Sequence, residues 1–244
     1  MLSVIVLRRQ ALLAALDDNA LHELAVHVRP KCFRTGEAVT DWSDGDTPLI
    51  FVLSGRLQEV SLAEDGREIG LGFVEAGEHH GEIAVIEGRP SGSCLIAVAN
   101  SLVGLLEGRH ARRLFEQYPA VSQALLHRLC FAVREASSSR AMLGLPSAQA
   151  RIGAVLADLA TVAEDGMSII EMLPPHRAIA IAANVSRESV CRYINALLER
   201  GDARREGDRL ILRQSYALPH VSARREGRAA GSAMGRLHSG WALP

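Results

Sequence analysis

Apolar positions along the chain change period three times, and each change predicts a different kind of element. Between Leu12 and Val28 they recur at Leu12, Leu16, Leu21, Leu24 and Val28, the three-to-four spacing of one or two short helices. From about Cys32 the pattern shortens. Runs such as "LIFVLSG", "RLQEVSL" and "EIGLGFV" alternate or cluster apolar residues, with glycines at 36, 45, 55, 66, 77 and 81 between them. "EDGR" at Glu64–Arg67 separates two of these runs, and Asp-Gly between strands is a strong signal for a tight hairpin. The spacing predicts a compact β sandwich or barrel up to about residue 106.

From 108 to 143 the helical period returns. Tyr118, Ser122, Leu125, Leu129, Ala132, Ala136, Ser139 and Leu143 step by four and three in turn, the a/d spacing of a coiled-coil seam. That many steps exceeds what a short packing helix requires, so the seam is read as a self-association surface, although it also suits packing on the β domain. "LPS" at 145–147 breaks the helix and offers Ser147 as a helix cap. Beyond it the pattern predicts helices over 148–162, 176–183 and 186–200, then a small hairpin turning at Gly207-Asp208. The tail from Ser215 is rich in Ala, Gly, Ser and Arg, with little periodicity, and reads as disordered. The expected class is α+β, with a sensor-like unit over 1–107, a helix and hinge over 108–145, a second unit over 146–214 and a tail over 215–244.

In "RAIAIAANVSRESVCRYINALLERG", Asn184 breaks one helix, Ser186 caps the next, and Val190, Ile194, Leu197 and Leu198 share a face. Two helices joined by a three- or four-residue turn make a helix-turn-helix, whose second helix enters the DNA major groove by its N-terminal end. Arg187, Glu188 and Arg192 then project from its first two turns, with Ser186 and Ser189 beside them. Arginine grips guanine O6/N7 in bidentate fashion and glutamate accepts from cytosine N4. Arg204, Arg205 and Arg209 of "RREGDR" are placed to meet phosphates.

Composition sharpens this only modestly. The chain has 244 residues, 48% of them hydrophobic and 23% charged, and a formal net charge of −1. No global basic field exists, so a nucleic acid must be met by a local patch. All but one of the 27 basic residues are arginine, the exception being Lys31. Cys32, Cys94, Cys130 and Cys191 form no C-x-x-C pair and suit a reducing cytoplasm. The short apolar run of "MLSVIVLRRQ" is neither a signal peptide nor a membrane span, so a cytosolic location and no membrane partner are expected. No phosphate loop, H-E-x-x-H motif or nucleophile–base pair is present, which argues against an enzyme. The competing reading is a small-ligand signalling module that never touches DNA, and the three intact base-reading side chains count against it.

"VSRESVCRYINALLERG" closely resembles the recognition helix of the cyclic-AMP receptor protein and fumarate-nitrate-reduction regulator (Crp/Fnr) family of bacterial transcription factors, whose pattern there is S-R-E-[TS]-V-x-R. "FRTGEAV" and "IFVLSGRLQEVSLAEDGREIGLGFVEAGEHHGEIAVIEG" are similar to that family's β-roll sensor, and the seam helix resembles its dimerisation helix. The resemblance runs almost continuously over 10–213. It implies a cyclic-nucleotide-binding-like, jelly-roll-like domain, a long dimerisation helix and a C-terminal winged helix-turn-helix. It also implies a homodimer that reads an inverted repeat of TGTGA-like half-sites, with RNA polymerase as a further partner. By likeness Arg187, Glu188 and Arg192 are the base readers.

The family's nucleotide cassette reads roughly G-E-[IL]-A-x(5,6)-P-R-S-A-T, the glutamate taking the ribose hydroxyl and the arginine the cyclic phosphate. Gly81, Glu82, Ile83 and Ala84 match, but Ser91 and Gly92 follow Pro90, so the cation is missing. Arg89 lies two residues earlier, on a turn that favours solvation. The family's paired Thr-Ser that meets the adenine falls on Ala136 and Ser137. A buried phosphate without a cation costs several kcal/mol (on the order of 3–5), so tight cyclic AMP binding is not expected and no cofactor is assigned. His79 and His80 stand at the cassette's entrance with no acidic residue or cysteine at metal spacing; they are read as a solvated loop, and no metal site is expected. The iron–sulfur version of the family needs clustered N-terminal cysteines, which this chain lacks. Cys94 and Cys130 are read as packing residues.

Overall fold

The computed structural model describes residues 2–40, 48–90, 92–163 and 167–213; expectations for the tail beyond them and for Ser91 lie outside the described residues. The period over Leu12–Val28 resolves into a 3-10 turn (Ala11–Leu13) and α2 (Asp18–His27), preceded by a short helix that the pattern did not predict, α1 (Val4–Arg8). Asp17 caps α2 by accepting the Ala20 N–H at 2.8 Å, satisfying one of the helix's free donors. The helix ends at His27 because Val28 turns extended and opens β1 (Val28–Phe33), paired with β7 (Ser101–Leu106).

The strand-like region is a β-roll of two facing sheets. One runs β1-β7-β2-β5, with β2 Leu49–Ser54 and β5 His79–His80. The other runs β4-β3-β6, with β3 Arg56–Leu62, β4 Glu68–Glu75 and β6 Cys94–Ala97. The Asp-Gly turn closes the β3–β4 hairpin as expected. Phe33, Ile50, Val52, Leu57, Val74, Leu95, Ala97 and Val103 fill the space between the sheets. A short helix, α3 (Glu82–Glu87), interrupts the roll; its pattern was too brief to announce it.

The seam region is two helices rather than one, α4 (Gly108–Gln117) and α5 (Pro119–Leu143). Pro119 excludes helical backbone from the residue before it, and Tyr118 is extended at φ −119°, ψ 95°. The expected seam is also corrected in part. Leu125 is buried, and Tyr118 and Leu129 pack beside it against the sensor's own core, with Leu21, Leu106 and Val121. Ala132 is half-buried and Ala136 exposed. The large apolar side chains that α5 leaves bare are Leu126 at 63% and Val133 at 69% exposure, one heptad apart, with Leu143 at the far end. Burying Leu125 inward rotates the outward stripe by about one residue, since neighbouring positions on a helix lie roughly 100° apart.

The C-terminal unit begins at α6 (Ala148–Leu159), capped by Ser147, whose hydroxyl accepts the Ala150 N–H at 3.1 Å. The helix stops three residues short of the expected end, because Thr161–Val162 (β8) pair with β9 (Ser168–Ile170). Then follow α7 (His176–Ala183), α8 (Arg187–Glu199) and the strands β10 (Ala203–Glu206) and β11 (Arg209–Leu212). The small sheet runs β10-β11-β9-β8. Ile152, Leu156, Ile170, Ile179, Val190, Ile194, Leu197 and Leu210 form one core. Both helix-turn-helix elements and the wing hairpin stand where the pattern places them. Among the described residues no helix is long and apolar enough to cross a membrane.

Candidate nucleic-acid interface and sensor pocket

Between α7 and α8 the chain turns in three residues. Asn184 takes the left-handed conformation, φ 49° and ψ 57°, and asparagine tolerates it because its side chain can bond locally. Ser186 then caps α8, accepting the Ser189 N–H at 3.2 Å. This aims the first turn of α8 outward. Arg187, Glu188 and Arg192 are exposed, while Val190, Ile194 and Leu197 on the other side are buried. Glu188 is held below the usual carboxylate range, first by its own backbone N–H and then by the Ser186 hydroxyl, so it meets a partner as an acceptor.

The wing shares this face through one residue. His176, at the start of α7, is pushed down by burial first, then by the positive charge of Arg205 and of Arg187. The charges of Arg205 on β10 and Arg187 on α8 therefore both reach His176. Arg204 and Arg205 are neighbours on a strand and point to opposite sides. Arg205 lies opposite Leu210, which belongs to the core formed with the helices, and Arg204 lies opposite Ile211, on the other side. Arg204 pairs with Glu206 at 2.9 Å and Arg209 with Glu171 at 2.8 Å. Of the three wing arginines in the sequence reading, Arg205 is the one whose charge reaches His176. A groove of about 420 Å³ beside α8 is lined by Arg192, Arg200, Ser189 and Tyr193 together with Ala148 and Gln149 of α6.

In the sensor, Gly81 has φ 96°, and a side chain there would lie 2.5 Å from the Pro48 carbonyl; glycine is required for this close approach. It starts α3 and turns Glu82 inward. Glu82 is 6% exposed, and its Oε2 has no hydrogen-bond partner among the described residues. Ala84 is buried beside it and Ile83 faces out. Arg89 bonds Glu87 at 2.7 Å and is 72% exposed, so it contributes no cation inside. Gly92 is exposed, and Ser137 spends its hydroxyl on the Val133 carbonyl at 3.1 Å on an exposed part of α5.

The histidine reading is overturned. His79 and His80 are β5, paired with Phe51 and Ile50. His79 is 4% exposed, and burial pushes its imidazole down to about 4. Two residues suffice to form this edge strand because β2 supplies the template, and a pattern that short carries no period. His80 Nε2 lies 3.8 Å from Glu59 Oε1, which also accepts the Ser93 hydroxyl at 2.6 Å. Arg128, on α5, has a buried Nε with no hydrogen-bond partner among the described residues, and its charge reaches His79. Glu59, Ser93 and Arg128 were not legible as neighbours of these histidines, since each sits in an ordinary strand or helix pattern. Cys94 is buried and donates to the Thr40 carbonyl at 2.8 Å, whereas Cys130 is exposed on α5, which corrects its reading as a packing residue. Among the described residues no group of three metal-ligating side chains occurs.

These residues suit a cyclic nucleotide only in part. Buried Glu82, with a free oxygen, suits a sugar hydroxyl. At the anion end Arg89 is turned outward and the Glu59 carboxylate stands beside Ser93, while the charge of Arg128 reaches His79 from α5.

Residues 30–118 match the family model of the cyclic nucleotide-binding domain. The chain is 23% identical over 216 residues to a CRP-like cAMP-activated global transcriptional regulator of Mycobacterium tuberculosis, covering 87% of this chain and 96% of that protein. It is 25% identical over 193 residues to the cyclic AMP receptor protein of Thermus thermophilus, covering 79% and 87%. In fold it is similar to the c-di-GMP-responsive global regulator CLP of Xanthomonas campestris, at a TM-score of 0.63 and 20% identity, covering 80% and 99%. A CRP-family transcriptional regulator from Thermus thermophilus gives 0.58 and 25% identity, covering 76% and 93%.

Proposed function

We propose, from the premise that this chain carries a cyclic nucleotide-binding domain and is a homologue of the CRP-like transcription regulators, that it is a homodimeric, sequence-specific DNA-binding regulator whose effector pocket has changed. The observation that carries the reading is the exposed first turn of α8, with Arg187, Glu188 and Arg192 outward; Arg205 of the wing stands close enough that its charge, like that of Arg187, reaches His176. Residues 1–107 form the sensor, 108–145 the dimerisation helix and hinge, and 146–214 the reading head. Arg187 and Arg192 read guanines and Glu188 a cytosine of a TGTGA-like half-site. Arg205 and the helix cap at Ser186 and Ser189 meet phosphates.

Two copies meet along the bare stripe of α5, through Leu126 and Val133 and the small Ala136, which permits close approach. Glutamate at Val133 puts two carboxylates into that seam, so Val133→Glu is expected to sediment as a monomer at micromolar concentration where the wild type is a dimer. An unchanged dimer would place the seam elsewhere.

The pocket's poor fit to a phosphate supports an altered ligand. The same fold serves a relative named as cAMP-activated and a neighbour named as c-di-GMP-responsive. Calorimetric titration with cyclic AMP is expected to show no sub-micromolar binding; sub-micromolar affinity would show that another group supplies the cation. The function itself is tested by fluorescence anisotropy on an inverted-repeat duplex at several salt concentrations, with a scrambled duplex alongside. Equal affinity for both would end this reading.

A further inference from the structure

The β3–β4 ribbon has two working faces. Successive residues of a strand point to opposite sides, and on β3 the sides have different partners. Leu57 lies in the sensor core, and Glu59 meets Ser93 at 2.6 Å and His80 at 3.8 Å. On the other side the partners belong to the C-terminal unit. Arg56 Nη1 donates to the Met172 carbonyl at 2.6 Å, and Gln58 Nε2 donates to the Ala178 carbonyl at 2.9 Å from a buried position. Arg56 is itself held by Glu75 at 2.7 Å.

On β4 a β-bulge sets the partners. Glu59 pairs with Gly72 and Val60 with Gly70, so Leu71 is the extra residue. One extra residue reverses the side to which the strand beyond it points. Phe73, before the reversal, and Gly70 and Glu68, after it, therefore share the outer face. Phe73 packs against the core of the C-terminal unit. Glu68 accepts both of its 3.0 Å bonds from Arg177 Nη2. A side chain at Gly70 would lie 2.9 Å from the Ala182 Cα, closer than carbon atoms pack, so α7 rests directly on bare backbone. Without the bulge, Glu68 would point into the roll and the pair with Arg177 could not form.

We infer that the outer face of this ribbon is a seat that sets the orientation of the reading head, and that β3 links the seat to the sensor pocket, with Glu59 on the inner face and Gln58 and Val60 on the outer. The inference rests on the regulator reading for its purpose and on the contacts above for its geometry. The seat engages α7 and the segment before it, and leaves Arg187, Glu188 and Arg192 exposed. It therefore fixes the angle of the head without covering its reading surface. A polar ligand that takes over the Ser93 or His80 contacts of Glu59 displaces the strand that carries Gln58, and the head follows. Two seated heads hold a fixed spacing, which favours an inverted repeat by preorganisation.

Hydrogen–deuterium exchange of the full chain tests the seat without DNA. Gly70→Val is expected to speed exchange of the α7 amides about ten-fold and Glu68→Arg about three-fold, while the Glu68→Arg/Arg177→Glu exchange of charges returns α7 close to wild type. Glu59→Gln, which touches only the inner face, is expected to alter exchange in α7 as well as in the sensor. With DNA, Gly70→Val is expected to bind a single half-site as the wild type does and the inverted repeat about ten-fold more weakly. Unchanged α7 exchange in Gly70→Val and Glu68→Arg overturns the seat, and a Glu59→Gln effect confined to the sensor overturns the link. If wild-type protein shows no preference for the inverted repeat, the regulator reading fails while the exchange results still decide the seat.

Discussion

Replacing Arg187 by alanine is expected to weaken binding to the inverted repeat by about 1–3 kcal/mol per half-site and to relax preference at one base pair of each. The loss is specific because Arg187 stands on the first turn of α8, exposed, with the helix core turned away. A symmetric dimer places two copies on the site, so the combined loss reaches roughly 2–6 kcal/mol. Arg205→Ala makes the contrast. It stands on the wing, where an arginine meets phosphate rather than base, so all sequences should weaken alike and the salt slope should fall by about 1 per copy. Anisotropy titrations on the consensus duplex, on single-base variants and over a range of salt separate the two behaviours. If Arg187→Ala weakened every duplex equally, its role would be electrostatic and the assignment of base reader would move to Arg192.

Acid is expected to unfold the sensor earlier than an ordinary histidine would allow, with His79 as the cause. Its imidazole is pushed from 6.5 to about 4 by burial, opposed by the Glu82 carboxylate and aided by the charges of Arg128 and His80. Between these values the unfolded chain binds a proton that the folded chain refuses, so stability rises with pH through this window. The contribution is whole above pH 6.5 and is lost as pH falls toward 4, about 2 kcal/mol by pH 5 and about 3 kcal/mol by pH 4. Urea unfolding followed at pH 7 and pH 5 measures it. His79→Phe keeps a ring at the position paired with Phe51 and removes the proton site, so its stability should change less between the two pH values than that of the wild type. Equal pH dependence in the two proteins would assign the acid sensitivity to other groups.

How much of this was legible beforehand follows the length over which each signal accumulates. The helix-turn-helix is written locally. The break at Asn184, the cap at Ser186 and the face of Val190, Ile194 and Leu197 each depend on residues within one or two turns, so they can be read without the rest of the chain. The Asp-Gly hairpin and the Ser147 cap are local in the same sense. The β5 strand is different. Two histidines have no period, and only the unpaired edge of β2 makes them a strand and buries His79. The seam shows the intermediate case: its heptad spacing was read correctly as a helix, yet whether Leu125 faces a partner or its own sensor depended on where Val121 and Leu106 lie in space.

The pocket divides the same way. Gly81, Glu82 and Ala84 were recognisable because a motif holds them together in sequence, and the structure buries Glu82. Glu59, Ser93 and Arg128 come from a strand, the start of another strand and a distant helix, and no spacing rule links them. Arg89 shows the converse, adjacent in sequence to the cassette but occupied by Glu87 at the surface.

By itself, then, the sequence determined the succession of β-roll, long helical region and C-terminal helical unit, the pair of helices on either side of Asn184 and Ser186, and the lack of a cationic residue type at positions 91 and 92 of the cassette, because these are properties of short stretches of backbone and side-chain type. Tertiary structure alone decided the burial of His79, the true outward face of α5 and the contact of α7 with the β3–β4 ribbon. The last depends on a single extra residue, Leu71, and on which side of a twisted ribbon its neighbours fall once both strands are paired; that is settled by long-range hydrogen bonding and packing, whose partners are far apart in the chain.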